Sequence, residues 1–183
     1  NTGWIKKMSK SKEGFECPYC KVSYTREKTL MVHMCEKKRR ALQKDEKRVQ
    51  LGYLTFNRFY KLCQRFDGVK TYEQFCNSPY YNAFVKFGSF VSNVRPLYPE
   101  KYIDYVVTSG VKLDHWCREE LYEKYALDLI RKEGVETALA SVTETDAKLI
   151  SESADLLYHL LVLLQAKNLE LSDVLNELKK RHK

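Results

Sequence analysis

The sequence has little glycine and proline, with seven and four residues among 183. The glycines are scattered, so no glycine-rich loop that would cradle a nucleotide phosphate is present. No apolar run has the length needed to cross a bilayer, and no signal-peptide pattern opens the chain. The first residue is Asn1 rather than methionine, which leaves the position of the natural N-terminus open. These absences argue against a P-loop protein, a membrane-spanning protein and a secreted one.

Six cysteines could indicate disulfides, but their positions favour other roles. The first three have a spacing typical of metal ligands. Cys63, Cys76 and Cys117 lie among apolar residues, as reduced core cysteines usually do. We therefore expect a reducing intracellular compartment, the cytoplasm.

The basic residues are concentrated at the start of the chain. Residues 1–50 hold 14 Lys or Arg against 6 Asp or Glu, an excess of eight, whereas residues 51–183 hold 18 of each. Residues 1–14 read as a mostly disordered basic arm. A polyanionic partner, nucleic acid above all, is therefore expected to bind within residues 1–50.

A Cys-x2-Cys-x12-His spacing predicts a zinc site after this arm. Cys17, Cys20 and His33 have the spacing of a ββα zinc finger, in which a cysteine hairpin faces a helix that carries the remaining ligands. Cys35 is the available fourth ligand, although its separation from His33 is unusually short. A metal-free hairpin with incidental cysteines is the alternative.

The apolar residues around these ligands agree with a finger. Phe15, Tyr24 and Leu30 lie at the positions that form the small core of such a domain, which folds only with its metal. The finger helix is expected to continue through residues 36–49, and residues 15–50 make up the finger with its extension. The basic side chains of this extension are predicted to contact nucleic-acid phosphates: Lys37, Lys38, Arg39, Arg40, Lys44, Lys47 and Arg48. Less specifically, the finger resembles small zinc-finger proteins of bacteriophages.

Residues 51–127 predict a helical domain rich in aromatic residues. Twelve aromatic residues lie between Tyr53 and Phe90. Their helical spacing, and the zero net charge of residues 51–183 as a whole, favour a core role over stacking platforms for single-stranded nucleic acid. Helical spacing places one group on a common face: Leu54, Phe59, Leu62, Cys63 and Phe66. Ser78 and Pro79 predict the start of a helix that ends near Val94. We interpret His115 and His159 as structural, because no catalytic set surrounds them.

The last part of the chain, residues 128–183, carries two pairs of carboxylates at helical spacing. Glu133 and Glu136 form one pair, and Glu152 and Asp155 form the other. If the two helices pack antiparallel, the four carboxylates converge and require a cation, and oxygen ligands favour Mg²⁺ or Mn²⁺. The second helix, apolar nearly all round, is expected to be buried between other helices, with a capping box at Thr143–Asp146.

These residues closely resemble the phosphoribosyl-ATP pyrophosphatases of histidine biosynthesis, which belong to the all-α nucleotide pyrophosphohydrolases. The resemblance covers about the last 50 residues and is carried by Glu133–Ala140, Glu152–Leu164 and Lys180–His182. In the family signature, E-E-x-x-E followed by E-x-x-D, Lys132 replaces the first Glu. No counterpart of the family's upstream helix is recognised.

The resemblance implies a Mg²⁺-dependent hydrolase that acts on a nucleotide phosphoanhydride and forms oligomers. Glu133, Glu136, Glu152 and Asp155 would be its catalytic metal ligands, and Lys179, Lys180 and Arg181 would contact phosphate. Two alternatives stay open. One is a non-enzymatic nucleic-acid-binding zinc protein whose C-terminal helices oligomerise, and the other is a fusion of unrelated parts joined near Glu133.

Overall fold

A computed structural model describes residues 10–11, 14–96, 98–143 and 145–181. Most of the predicted basic arm lies outside the described residues. The described chain is mainly helical with one small sheet, which confirms the predicted fold class. It divides into two compact units, residues 1–110 and 111–183.

The first unit begins with a small sheet followed by helices. Its strands are β1 (Lys10–Ser11), β2 (Gly14–Glu16) and β3 (Ser23–Tyr24), and its helices are α1 (Glu27–Val32), α2 (Glu36–Leu42), α3 (Lys47–Cys63), α4 (Tyr72–Cys76), α5 (Tyr81–Val94) and α6 (Pro99–Thr108). The strands are antiparallel in the order β1-β2-β3, and Phe15 pairs with Tyr24. Helix α5 starts two residues after the predicted proline start, since Ser78 caps the preceding turn by accepting from the Tyr80 N–H.

Helices α3 and α5 cross at very short range. A Cβ atom added to Gly88 would lie 2.1 Å from the Arg48 carbonyl oxygen, and one added to Gly52 would lie 2.9 Å from that of Phe84. The two glycines therefore let the helix backbones touch. The buried face of α3 is Val49, Gly52, Thr55 and Phe56.

This finding corrects the predicted face of α3. Leu62, Cys63 and Phe66 are exposed, because the helix approaches its neighbour through small residues at its N-terminal half rather than through its larger apolar ones. Cys63 is therefore not a core residue, in contrast to Cys76, which is buried.

The aromatic residues of the first unit form its core, as predicted. Phe75 and Phe87 are fully buried, and Phe56 packs between the rings of Phe75 and Phe84 at centroid distances of 5.2 and 5.6 Å. Such offset and edge-on ring pairs add about 0.5–1.5 kcal/mol each beyond the area they bury. Tyr80 is more than half exposed and stands outside this core.

The second unit contains a 3-10 turn (Leu113–His115) and three helices, α7 (Glu119–Thr143), α8 (Asp146–Ala166) and α9 (Leu171–Arg181). Helix α7 runs without a break through residues 127–128, where the sequence analysis placed a domain boundary. Glu123 pairs with Lys167 at 2.6 Å, while Glu133 lies near Glu152. The two helices are therefore antiparallel, as the sequence analysis assumed.

Helix α8 differs from expectation in two respects. Its N-cap is Thr145, whose hydroxyl accepts from the Lys148 N–H, whereas Thr143 ends α7. It is also largely exposed, because within this unit it packs chiefly on α7, and Glu152 and His159 are its buried residues. By length and composition alone α8 is apolar enough to cross a membrane, contrary to the sequence analysis. A single helix of this kind is weak evidence for a membrane span, because a helix buried in a protein core passes the same test.

Candidate metal centres

The structure brings together the four predicted zinc ligands. One ligand atom from each of Cys17, Cys20, His33 and Cys35 lies within 4.8 Å of the others. The Sγ atoms of Cys17 and Cys35 are 3.9 Å apart, and the Cys20 Sγ atom is 3.3 Å from the His33 Nε2 atom. Tetrahedral zinc with Zn–S bonds of about 2.3 Å places two sulfur atoms about 3.8 Å apart. The donor set and its spacing therefore fit zinc.

The hairpin is shaped to present its two cysteines. Lys21 adopts a left-handed conformation (φ 66°), and its N–H donates a hydrogen bond to the Cys17 carbonyl oxygen at 2.9 Å. Burial acts to raise the pKa of the Cys17 thiol, but hydrogen bonds from the Cys20 and Tyr19 backbone outweigh it and the pKa is lowered. A thiol that loses its proton more readily is a better metal ligand.

The short spacing between His33 and Cys35 is explained by a break in the helix. The sequence predicted one continuous helix, but α1 ends at Val32 and His33 is extended (φ −65°, ψ 123°). Cys35 is extended as well, caps α2, and accepts the Lys38 N–H at its Sγ atom. Two ligands separated by one residue cannot both leave a straight helix toward the same point, since neighbouring side chains diverge by about 100° per residue. The break lets both reach the cluster.

Tyr24 was predicted only as a packing residue, but it also contacts one of the zinc-ligand candidates. Its hydroxyl lies 2.8 Å from the His33 Nδ1 atom. This contact at Nδ1 leaves Nε2 directed at the cysteines. Metal-bound histidines are usually oriented in the same way, by a hydrogen bond at the ring nitrogen that does not bind the metal. The signal in the sequence is a tyrosine where only an apolar ring is required.

The side chains predicted to contact nucleic acid differ in their exposure. Lys37, Arg39, Lys44 and Lys47 are exposed, and Arg48 is exposed while pairing with Glu46. Lys38 donates to the His33 carbonyl oxygen at 3.1 Å.

Arg40 lies apart from the others, because its side chain is used inside the first unit. It is only 13% exposed, donates to the Cys76 carbonyl oxygen at 2.7 Å, and its guanidinium lies 4.3 Å from the centre of the Tyr81 ring. Tyr72 returns a hydrogen bond from its hydroxyl to the Arg40 carbonyl oxygen at 2.6 Å. The finger extension is thereby docked on the aromatic core.

The second cluster consists of carboxylates on α7 and α8. Oxygen atoms of Glu133, Glu136 and Glu152 lie within 4.8 Å of one another. Asp155 is exposed and, among the described residues, does not join this group. Three convergent carboxylates are a donor set that fits a hard divalent cation.

Two lysines form ion pairs with these three carboxylates. The Lys132 ammonium lies 3.6 Å from Glu133 and 3.1 Å from Glu136, and Lys148 pairs with Glu152. Burial raises the pKa of the Glu133 carboxyl, with Lys132 acting in the opposite direction. The hydrogen bond from Lys132 lowers the pKa of the Glu136 carboxyl. His159 is buried on the same side of α8 and also acts on Glu133 by its charge.

The predicted phosphate contacts lie on α9. Lys180 and Arg181 pair with Glu177 at 3.5 and 3.2 Å, and Lys179 is exposed. Within the described residues, no hydrogen bond or ion pair joins these three side chains to Glu133, Glu136 or Glu152.

Comparison with known proteins supports the C-terminal resemblance. Residues 99–182 match the family of phosphoribosyl-ATP pyrophosphohydrolases. The histidine biosynthesis bifunctional protein HisIE of Vibrio vulnificus (strain YJ016) is 57% identical over 54 residues, which are 30% of this chain and 26% of that protein. The phosphoribosyl-ATP pyrophosphatase of Pyrobaculum calidifontis is 56% identical over 54 residues, 30% of this chain and 57% of that protein.

The chain thus spans only about a quarter of the first of these relatives. The family match starts at Pro99, upstream of Glu133 where the sequence analysis placed the onset, and so includes α6 and the first half of α7. No counterpart of the family's upstream helix was recognised in the sequence, but the family match also covers residues 99–132. No solved structure matches the chain.

Proposed function

We propose that the C-terminal part of this chain is a Mg²⁺-dependent nucleotide pyrophosphohydrolase. The observation that carries the proposal is the carboxylate cluster on antiparallel helices within the region that matches the family. The substrate would be phosphoribosyl-ATP. Water attacks the α-phosphorus, the α–β phosphoanhydride bond breaks, and pyrophosphate leaves.

The chain's own residues have distinct parts in this reaction. Glu133, Glu136 and Glu152 would hold the cation, with Asp155 joining from the next turn of α8. The cation would supply Lewis-acid stabilisation of phosphate charge. One of these carboxylates would double as the general base that accepts a proton from the attacking water. Lys179, Lys180 and Arg181 would contact the phosphates.

The test is pyrophosphate release from phosphoribosyl-ATP with Mg²⁺. We expect Glu152→Gln to abolish release, while the control Glu120→Gln, at an exposed position near the start of α7, retains it. Lys132→Glu restores the acidic residue of the family signature and is expected to raise the rate. If neither the natural chain nor Lys132→Glu releases pyrophosphate or gains thermal stability from Mg²⁺, the proposal is wrong.

A second function is proposed for residues 1–50, which we infer to be a zinc-dependent nucleic-acid-binding module. The support is the Cys17–Cys35 ligand cluster beside a row of exposed cations. Metal analysis is expected to find one zinc per chain, and Cys17→Ser is expected to lose it and to unfold the finger. Zinc-free protein with protected finger amides would contradict this.

Nucleic-acid affinity is expected to fall steeply with salt, since phosphate contacts release counterions. Replacing Lys37, Arg39 and Lys47 with glutamine is expected to lower the slope of affinity against salt by about 0.7–0.9 per lost phosphate contact. Binding that is insensitive to these changes would locate the interface elsewhere.

We further propose that the chain works in the cytoplasm as a homo-oligomer formed through its C-terminal helices. The support is the set of exposed apolar side chains on α8 and α7: Ile150, Leu157, Leu161, Val135, Leu139 and Val142. Such a surface is unusual on a monomer. A chain that oligomerises and binds nucleic acid without turnover remains the alternative proposal, and the pyrophosphate assay separates the two. A fusion near Glu133 would have to lie within the unbroken helix α7.

A further inference from the structure

The Lys132 ammonium occupies the position that a cation would take between two of the clustered carboxylates. It lies 3.6 Å from the Glu133 Oε1 atom and 3.1 Å from the Glu136 Oε1 atom. These carboxylates belong to the three whose oxygens lie within 4.8 Å of one another. A divalent cation bound there would repel the ammonium and would need the same oxygen lone pairs. The two cations therefore compete for one place.

The lysine is the partner that is free to move. Its side chain is 61% exposed, whereas that of Glu133 is 10% exposed and fixed between α7 and α8. The ammonium sits at the end of a flexible four-carbon stem at the surface, so it can leave the carboxylates without moving a helix. Lys148, which pairs with Glu152, is half-exposed and neutralises the remaining carboxylate.

We propose that Lys132 is a displaceable counter-cation that couples divalent-cation binding to polyphosphate binding. The arriving ion drives the ammonium away from Glu133 and Glu136, and the released ammonium pairs with phosphate oxygens of the polyphosphate that accompanies the ion. This inference rests on the proposed function of the cluster as a divalent-cation site. An acidic residue, as the family signature has here, cannot do this, so the coupling is a property of this chain.

The coupling has a definite thermodynamic sign. A cation that binds alone must break both lysine contacts, and the ammonium gains nothing in exchange. When a polyphosphate is present, the ammonium regains an anionic partner, so each ligand strengthens the binding of the other by the same factor. Removing the lysine should therefore strengthen cation binding alone and weaken the cooperation between the two ligands.

The experiment measures Mg²⁺ affinity of the full chain by calorimetry and thermal shift, with and without inorganic tripolyphosphate, at matched free Mg²⁺. Lys132→Met is compared with the natural chain and with Lys167→Met, which removes an ion pair to Glu123 outside the cluster. Because exposed ion pairs are weak, we expect Lys132→Met to bind Mg²⁺ alone about two- to tenfold more tightly. The gain from tripolyphosphate should shrink toward none, and Lys167→Met should behave as the natural chain does.

Two results would overturn the proposal, and they are distinguishable. If Lys132→Met binds Mg²⁺ as the natural chain does and keeps the tripolyphosphate gain, the coupling is wrong while the cation site stands. If the natural chain, Lys132→Met and Lys132→Glu all fail to bind Mg²⁺, the proposed function fails together with the coupling. Far-UV circular dichroism of each variant establishes that it is folded.

Discussion

Replacing Gly88 with alanine should severely destabilise the first unit. The added Cβ atom would lie 2.1 Å from the Arg48 carbonyl oxygen and 2.7 Å from the Gly52 nitrogen. Both are backbone atoms of α3, so neither can rotate away, and the two helices must separate. Overpacked cores lose about 1–3 kcal/mol and occasionally more, and this contact lies at the upper end. The better helix propensity of alanine returns only about 1 kcal/mol.

Gly134 provides the matched control. It also lies within a helix, but a Cβ atom there would meet nothing within 4 Å. Gly134→Ala should therefore stabilise its helix by up to about 1 kcal/mol, the propensity gain alone. Gly52→Ala should fall between the two, because its closest contacts are 2.9–3.1 Å.

The assay is urea denaturation followed by circular dichroism, with hydrogen exchange of α3 and α5 to localise the effect. A net loss of about 2–3 kcal/mol would be a large share of the 5–15 kcal/mol typical of a folded domain. Protection of α3 and α5 that is unchanged or increased in Gly88→Ala would refute the close crossing.

Three further predictions concern other parts of the chain. Arg40→Ala should lower the free energy of unfolding by about 1.5–3 kcal/mol, because the hydrogen bond to the Cys76 carbonyl oxygen is lost. Arg39→Ala, at the exposed neighbouring position, should change it by less than about 0.5 kcal/mol. Equal effects would contradict the role of Arg40 in docking the finger extension on the aromatic core. Size-exclusion chromatography with light scattering should show an oligomer that Leu157→Glu dissociates and Val69→Glu, an exposed apolar site in the first unit, does not, and a strictly monomeric natural chain would refute the association. Tyr24→Phe should keep zinc stoichiometry but weaken zinc affinity about 10–100-fold in a chelator competition, the usual cost of an outer partner; unchanged affinity would show that the hydroxyl does not orient His33.

The sequence predicted best where chemistry demands a fixed spacing. Two residues must separate Cys17 from Cys20 for both to face one ion, and Glu133 and Glu136 must lie one helical turn apart to leave the same face. Both patterns are therefore visible without a structure. The structure brings the partners of each pattern together across 13 or more residues, with Asp155 as the exception.

The sequence predicted poorly where backbone shape decides. The apolar spacing on α3 predicted a buried face that included Leu62 and Phe66. The buried face is instead the one that carries Gly52, because the absence of a side chain there lets α5 pack closely. An apolar count gives glycine no weight, so such a face is invisible to it. The buried position of Arg40 was not predicted for a related reason. A cation in a basic run is usually solvated, and nothing in the local sequence marks the one residue whose partners lie 36 and 41 positions later.

The docking of the finger extension on the aromatic core has a consequence for how the finger meets a partner. A finger on a flexible tether must give up its freedom to tumble whenever it binds, and that loss of entropy opposes binding. Here the Arg40 and Tyr72 contacts have already removed this freedom during folding. The exposed cations Lys37 and Arg39 are thus carried by α2, the helix that Arg40 ties to Cys76 and Tyr81 of the aromatic core. If residues 1–50 bind nucleic acid as proposed, a module held in this way would need fewer contacts to reach a given affinity than a tethered one.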